Sequence, residues 1–200
     1  MSEASYWDEK WSGRKPEQAN TFAKRAYHLI KLRNFNTLLD VGCGNGRDSI
    51  YFSDRDLVVT AVDLSIGAIN ALKNQKHGIN CICEDMRNLA FKDGSFEVIY
   101  AHLSLHYFDD LTTGQIFNNL YKILTANGLL FIKCKSVNDP LFGQGEKVGE
   151  YTYKMGHVRH FFSKEYMMEK LYQFKILKIR KTSSFYAGHQ SSFIEAIAMK

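Results

Sequence analysis

The chain has 200 residues, 45% of them apolar, with a formal net charge of +5. That length suits one domain with a full core, and the apolar share excludes a disordered polar chain. No apolar run nears the roughly twenty residues that span a bilayer, so no membrane association is expected.

In chain order, Tyr6-Trp7-Asp8-Glu9-Lys10-Trp11 places Trp7 and Trp11 four residues apart, on one face of a helical turn. From the residues alone the pair reads as an apolar staple for the next helix. The residues from Met1 to Asp8 lack a basic stretch followed by an apolar one, so no signal peptide is expected. Glu17 to Leu32 predicts a helix with Phe22, Ala23, Ala26, Leu29 and Ile30 as its apolar stripe. A strand follows from Thr37 to Val41, then a helix from Arg47 to about Asp54, then a strand from Val58 to Asp63. Ser65 predicts the N-cap of a helix carrying Ile66, Ile69 and Leu72, ending before Gly78. Strands are expected at Ile79 to Cys83, Phe96 to His102 and Leu129 to Cys134, the last after an Asn127-Gly128 turn, with a helix over Asp109 to Leu124. The pattern lapses from Lys135 until Ser163, which caps a short helix through Leu171. Two runs, Phe174 to Lys181 and Phe193 to Met199, then read as strands joined by a loop over Ser183 to Ser192. Strands alternating with helices predict a parallel sheet, and the last two add an antiparallel hairpin to one edge.

Within this frame, Asp40-Val41-Gly42-Cys43-Gly44-Asn45-Gly46 is a buried strand turning tightly into a helix, with glycines where a ligand meets backbone. Asp63, about twenty residues later, ends the next strand and can bind the vicinal hydroxyls of a ribose; its structural alternative is to cap the following helix. The dinucleotide fingerprint needs a third Gly or Ala where this chain has Arg47 or Ser49, depending on register, which opposes a nicotinamide oxidoreductase.

The glycine loop resembles motif I of the class I S-adenosylmethionine-dependent methyltransferases. Glu84-Asp85-Met86 resembles that family's motif after the third strand, and Leu124-Thr125-Ala126-Asn127-Gly128-Leu129-Leu130 its turn before the fifth. The resemblance implies a Rossmann-like α/β fold: a seven-stranded, mostly parallel sheet with a C-terminal antiparallel hairpin and helices on both faces. It implies S-adenosyl-L-methionine as cofactor, bound by Trp7, Trp11, Asp40, Gly42, Gly44, Asp63, Leu64, Asp85, Met86 and His102. Within that class, the aromatic N-terminus and Gly42 to Ser49 are similar to the small-molecule tellurite-resistance and thiopurine methyltransferase group, which implies that Trp7 and Trp11 form a lid over the cofactor, a role compatible with the staple. The segment after the fourth strand lacks the Pro-Pro-aromatic element of methyltransferases acting on nucleobase amines, which disfavours such a substrate.

Methyl transfer from a sulfonium needs positioning and desolvation, and a base only when the acceptor arrives protonated. His106 and Tyr107, just after the fourth strand, are the catalytic candidates. Tyr153, His157, Arg159 and His160 near the irregular segment, and Tyr186 and His189 in the final loop, are candidates for the substrate mouth; Arg159 suggests an anionic or polar group or else a surface ion pair. A single domain is expected: an N-terminal lid and helix over 1–35, a cofactor-binding core over 36–134, a substrate lid over 135–162, and a helix and hairpin over 163–200. Cys43, Cys81, Cys83 and Cys134 sit in or beside strands, form no Cys-x-x-Cys pair and read as small buried hydrophobes of a reducing cytoplasm, with no metal expected. The basic residues from Arg159 to Lys181 are interrupted by acids and read as a solvated face, so a small-molecule partner is expected rather than nucleic acid. A methyltransferase acting on RNA or protein, and a non-catalytic S-adenosylmethionine-binding regulator, are the alternatives. Oligomeric state is not legible.

Overall fold

The computed structural model describes residues 2–11, 14, 17–186 and 189–200, with only the backbone of Tyr186 and His189. A short helix α1 (Glu3–Trp11) precedes α2 (Thr21–Leu32). Then β1 (Thr37–Val41), α3 (Arg47–Ser53), β2 (Val58–Asp63), α4 (Ile66–Gln75), β3 (Asn80–Cys83) and β4 (Phe96–His102) follow. The chain continues with α5 (Asp110–Ile123), β5 (Leu124–Lys135), a small sheet of β6 (Glu146–Gly149), β7 (Thr152–Met155) and β8 (His157–His160), then α6 (Lys164–Lys170), β9 (Lys175–Tyr186) and β10 (His189–Met199).

The main sheet runs β3-β2-β1-β4-β5-β10-β9, with β3 through β5 parallel and β10 antiparallel to both its neighbours. This is the expected seven-stranded sheet. Period-two alternation sorts its side chains cleanly. Leu38, Val98, Leu129 and Phe131 face α2 and α3, packing with Phe22, Ala26, Ile30 and Phe52. Their sequence neighbours Leu39, Ile99, Leu130 and Ile132 face the other way, onto Ile116, Phe117 and Leu120 of α5 and Met167 of α6. Two cores, one per face, follow from that alternation.

The helices begin where capping side chains are available. Ser65 accepts from the Ala68 amide, Asp109 from Thr112 and Ser163 from Tyr166. Helix α2 starts at Thr21, four residues later than the expected Glu17, because Asn20 accepts from the Ala23 amide while its own amides donate to Asp48.

Two connections expected to be irregular are built from strands. Within 135–162, β6, β7 and β8 form a three-stranded antiparallel sheet. At its base Lys135 donates to Asp139 and Ser191 inside the protein, at 2.8 and 2.9 Å. The expected loop over Ser183 to Ser192 is instead the end of a long hairpin, with Ser184 paired to Ser191 and Phe185 to Gln190. Its polar, small residues hid the strand pattern, because backbone bonds rather than an apolar face hold it. Of the cysteines, Cys134 is buried as expected, whereas Cys83 is exposed where β3 ends at the sheet edge.

Candidate functional site

The C-terminal ends of β1, β2 and β4 open into a cavity of about 340 Å³, where open α/β sheets place ligands. Its walls include Asp40, Gly42, Asp63, Leu64, Asp85, Met86 and His102, and α1 covers it with Trp7 and Trp11. Those nine expected residues are thus brought together. The tenth, Gly44, lies against the Trp11 indole: a Cβ there would stand 2.5 Å from Trp11 Cζ2. Gly42 is held as closely, its missing Cβ falling 2.3 Å from Ser104 Cβ. Both glycines have positive φ, 75° and 56°, so the loop needs their freedom as well as their small size.

Asp63 has both roles open to it at the sequence level within reach. Its carboxylate accepts from the Gly44 amide at 2.7 Å and the Ser65 amide at 2.9 Å, tying the glycine loop to the start of α4, while facing the cavity. Asp40 is 2% exposed and accepts from Ser49 Oγ at 2.6 Å; burial pushes its carboxyl up to about 8. Burial also raises Asp48, which takes the Tyr100 hydroxyl at 2.9 Å, and Asp63. Two buried carboxyl groups and the half-buried Asp63 around one cavity are electrostatically suited to a cation, whose charge would favour their ionised forms. Asp85 engages Arg87 through both carboxylate oxygens, and Arg87 reaches Glu3 of α1 at 3.0 Å.

Helix α1 buries none of its own residues. Polar and ring contacts hold it: Asp8 accepts from Ser65 Oγ at 2.6 Å and from the Gly67 amide at 3.0 Å. The Trp7 ring lies 4.6 Å from that of Tyr107. Leu103, also in the cavity wall, adopts φ 58° with a side chain that disfavours it. Such backbone strain clusters at functional sites.

The substrate-side candidates fall in different places. Tyr107 lines the cavity, but His106 does not; it is 1% exposed behind Tyr107, its ring 4.3 Å away. Tyr153, Arg159 and His160 are not in the cavity wall either. His160 is buried in the small sheet, stacked on Tyr166 at 4.2 Å with its Nδ1 3.1 Å from Thr152 Oγ1. Tyr153 packs its ring on Phe142 and Phe161. Alternation along β8 puts His157 and Arg159 on the face opposite His160, which an irregular reading of the segment could not separate. The side chains of Tyr186 and His189 lie outside the described residues; the neighbouring Phe185 reaches the cavity. Lys10, Arg14, Glu17, Arg47 and Arg87 also line it and were not expected as site residues; the one signal that could have found Lys10 is its place one turn from Trp7.

Comparison with known proteins agrees with this geometry. Residues 39–132 match the model of the methyltransferase domain family. The chain is 29% identical over 92 residues to a malonyl-[acyl-carrier protein] O-methyltransferase of Pseudescherichia vulneris, covering 46% of this chain and 36% of that protein. It is 28% identical over 144 residues to phosphoethanolamine N-methyltransferase 1 of Arabidopsis thaliana, covering 68% and 28%. The chain therefore spans well under half the length of these curated relatives. An S-adenosylmethionine-dependent methyltransferase structure from Methanosarcina mazei superposes with a TM-score of 0.75 at 19% identity, covering 85% of this chain and 96% of that one. The chain thus has the Rossmann-like fold of S-adenosylmethionine-dependent methyltransferase structures, and its likeness to the methyltransferase domain family lies in residues 39–132.

Proposed function

We propose that this protein transfers a methyl group from S-adenosylmethionine to a small-molecule acceptor. The observation that carries the reading is the cavity at the strand ends, where a glycine loop, the Asp63 carboxylate and buried acids converge under two tryptophans. Asp63 would hold the ribose hydroxyls, Asp85 and Met86 the adenine, and Gly42, Gly44, Leu64 and His102 the surrounding contacts. Asp40 and Asp48 would offset the positive charge, and Trp7 and Trp11 exclude water. When bound, this cofactor supplies a methyl group already activated by the sulfonium. The chain's own task is then to align the acceptor in line with it and keep the site dry. Tyr107, on the cavity wall, positions the acceptor, and His106 supports that ring from behind.

The names of the relatives, on malonyl-[acyl-carrier protein] and phosphoethanolamine, favour small acceptor groups. The aromatic helix over the cavity favours the tellurite-resistance and thiopurine group within the class. We assign α1 and α2 as lid and support, 36–134 as the cofactor core, 135–162 as the acceptor side and 163–200 as the closing helix and hairpin. The test is transfer of a labelled methyl from S-adenosylmethionine to a panel of thiols, thiopurines, oxyanions and small acids. Transfer to a panel member supports the reading; cofactor binding with turnover only on protein or RNA would replace it with the macromolecular alternative.

A further inference from the structure

Beside the cavity, a group of basic side chains includes three, His157, Arg159 and Lys10, that have no task in the reading above. His157 and Arg159 share a face of β8, and Arg159 Nη2 donates to His157 Nε2 across 2.8 Å. That bond leaves the His157 proton on Nδ1, as a donor. His106 is tied to the same strand, its carbonyl accepting from the His160 amide at 2.9 Å. Lys10 comes from α1, its ammonium 4.5 Å from the centre of the Trp7 ring. Burial and the charges of Arg159 and Arg14 bring the Lys10 ammonium down to about 8.

Two features mark this cluster as built for a ligand. Among the described residues, neither Lys10 nor Arg159 has an ion pair with a carboxylate. Arg159 Nε, His157 Nδ1 and His106 Nδ1 are moreover buried with no hydrogen-bond partner. Buried polar atoms are nearly always paired, so the two unpartnered donors on β8, Arg159 Nε and His157 Nδ1, call for an acceptor from outside the chain, while Nδ1 of His106, 1% exposed, is unpaired as well. The cluster is continuous with the cavity: the Tyr107 ring lies 4.3 Å from His106, 5.2 Å from His157 and 4.6 Å from Trp7. Trp7, Lys10 and Tyr107 themselves line the cavity.

We propose that Arg159, His157, Lys10 and His106 form an oxyanion subsite, so that the methyl acceptor carries a carboxylate or phosphate group. The proposal rests on the cavity being the methyl-transfer site and names its substrate class. Arg159 offers a planar fork to an oxyanion, and His157 Nδ1 adds a donor beside it. Because Lys10 belongs to α1, the bound anion also joins the lid to β8 and relieves the repulsion between Lys10 and Arg159. Acceptor and lid then close together.

The experiment titrates the full chain with malonate and with inorganic phosphate at constant ionic strength against chloride. The readout is emission from the chain's two tryptophans, both on α1, with and without S-adenosylhomocysteine. A saturable response to at least one of these anions and not to chloride is expected, weakened at least tenfold in Arg159→Met. The stronger of the two probes identifies carboxylate or phosphate. Lys10→Met, on a helix that buries no residue, should weaken it too and decides the matter if Arg159→Met does not fold. Lys76→Met, whose lysine pairs with Asp54, should leave it unchanged. No saturable response, or equal affinity in wild type and in Arg159→Met or Lys10→Met, overturns the subsite. Calorimetry with S-adenosylhomocysteine separates the two claims. Failure of that binding with the anion response intact defeats the cofactor reading and leaves the anion site standing.

Discussion

Replacing Asp63 by alanine separates the loop brace that its carboxylate forms from the ribose contact proposed for it. The substitution removes the acceptor of two amides, Gly44 at 2.7 Å and Ser65 at 2.9 Å. A hydrogen bond to a charged group contributes about 1.5–3 kcal/mol, but water from the adjoining cavity can replace much of it at these sites. Loss of a half-buried carboxyl raised by desolvation and by Asp8 offsets part of the remainder. A net destabilisation of about 1–2 kcal/mol follows, or a Tm fall of about 2–8 °C for a chain of this size. Cofactor affinity should fall further, because the ribose contacts go with the carboxylate: about 1.5–3 kcal/mol, roughly 10- to 150-fold in Kd. Thermal denaturation followed by calorimetric titration with S-adenosylmethionine reads both quantities. A folded Asp63→Ala protein binding within about twofold of wild type would refute the ribose assignment and leave Asp63 as a loop brace alone.

Two further outcomes follow from the site. With its carboxyl near 8, Asp40 is largely protonated at pH 7, and a cation held beside it favours the carboxylate. Cofactor binding at pH 7 should therefore release protons and tighten between pH 6 and 8; titrations in buffers of different ionisation enthalpy measure this, and identical release in Asp40→Asn would contradict it. Helix α1 should close over the cofactor, shifting tryptophan emission and protecting residues before Glu17 from proteolysis, and Asp8→Ala, which frees α1 from Ser65 and Gly67, should weaken both effects. Emission and cleavage unchanged by cofactor would leave Trp7 and Trp11 a packing role only.

Most of the sheet and the residues that line the cavity from β1, β2 and β4 were legible because their signals are local. Leu38-Leu39-Asp40 runs into spaced glycines, Asp63 ends an apolar strand, and Ser65, Asp109 and Ser163 each cap the helix they precede. The acceptor side was harder to read because its order comes from pairing between short polar strands. Glu146–Gly149 is exposed along its length, and β7 and β8 mix polar residues on both faces, so no period of two stands out. Once β8 is seen as a strand, alternation alone separates Arg159 from His160. The hairpin end was concealed in the same way: Ser191 is fully buried, yet it is held by Lys135 rather than by an apolar face. The Asp8 anchor spans 57 residues to Ser65, and a single sequence carries no sign of it.

The central claim is that the cavity beneath α1 takes S-adenosylmethionine, and isothermal titration of the full chain tests it most directly. S-adenosylmethionine and its demethylated product should each bind one per chain, both weakened in Asp63→Ala, while NADH gives no saturable heat. Saturable binding of NADH that exceeds S-adenosylmethionine, or no heat from either methyl donor or product, would contradict the account.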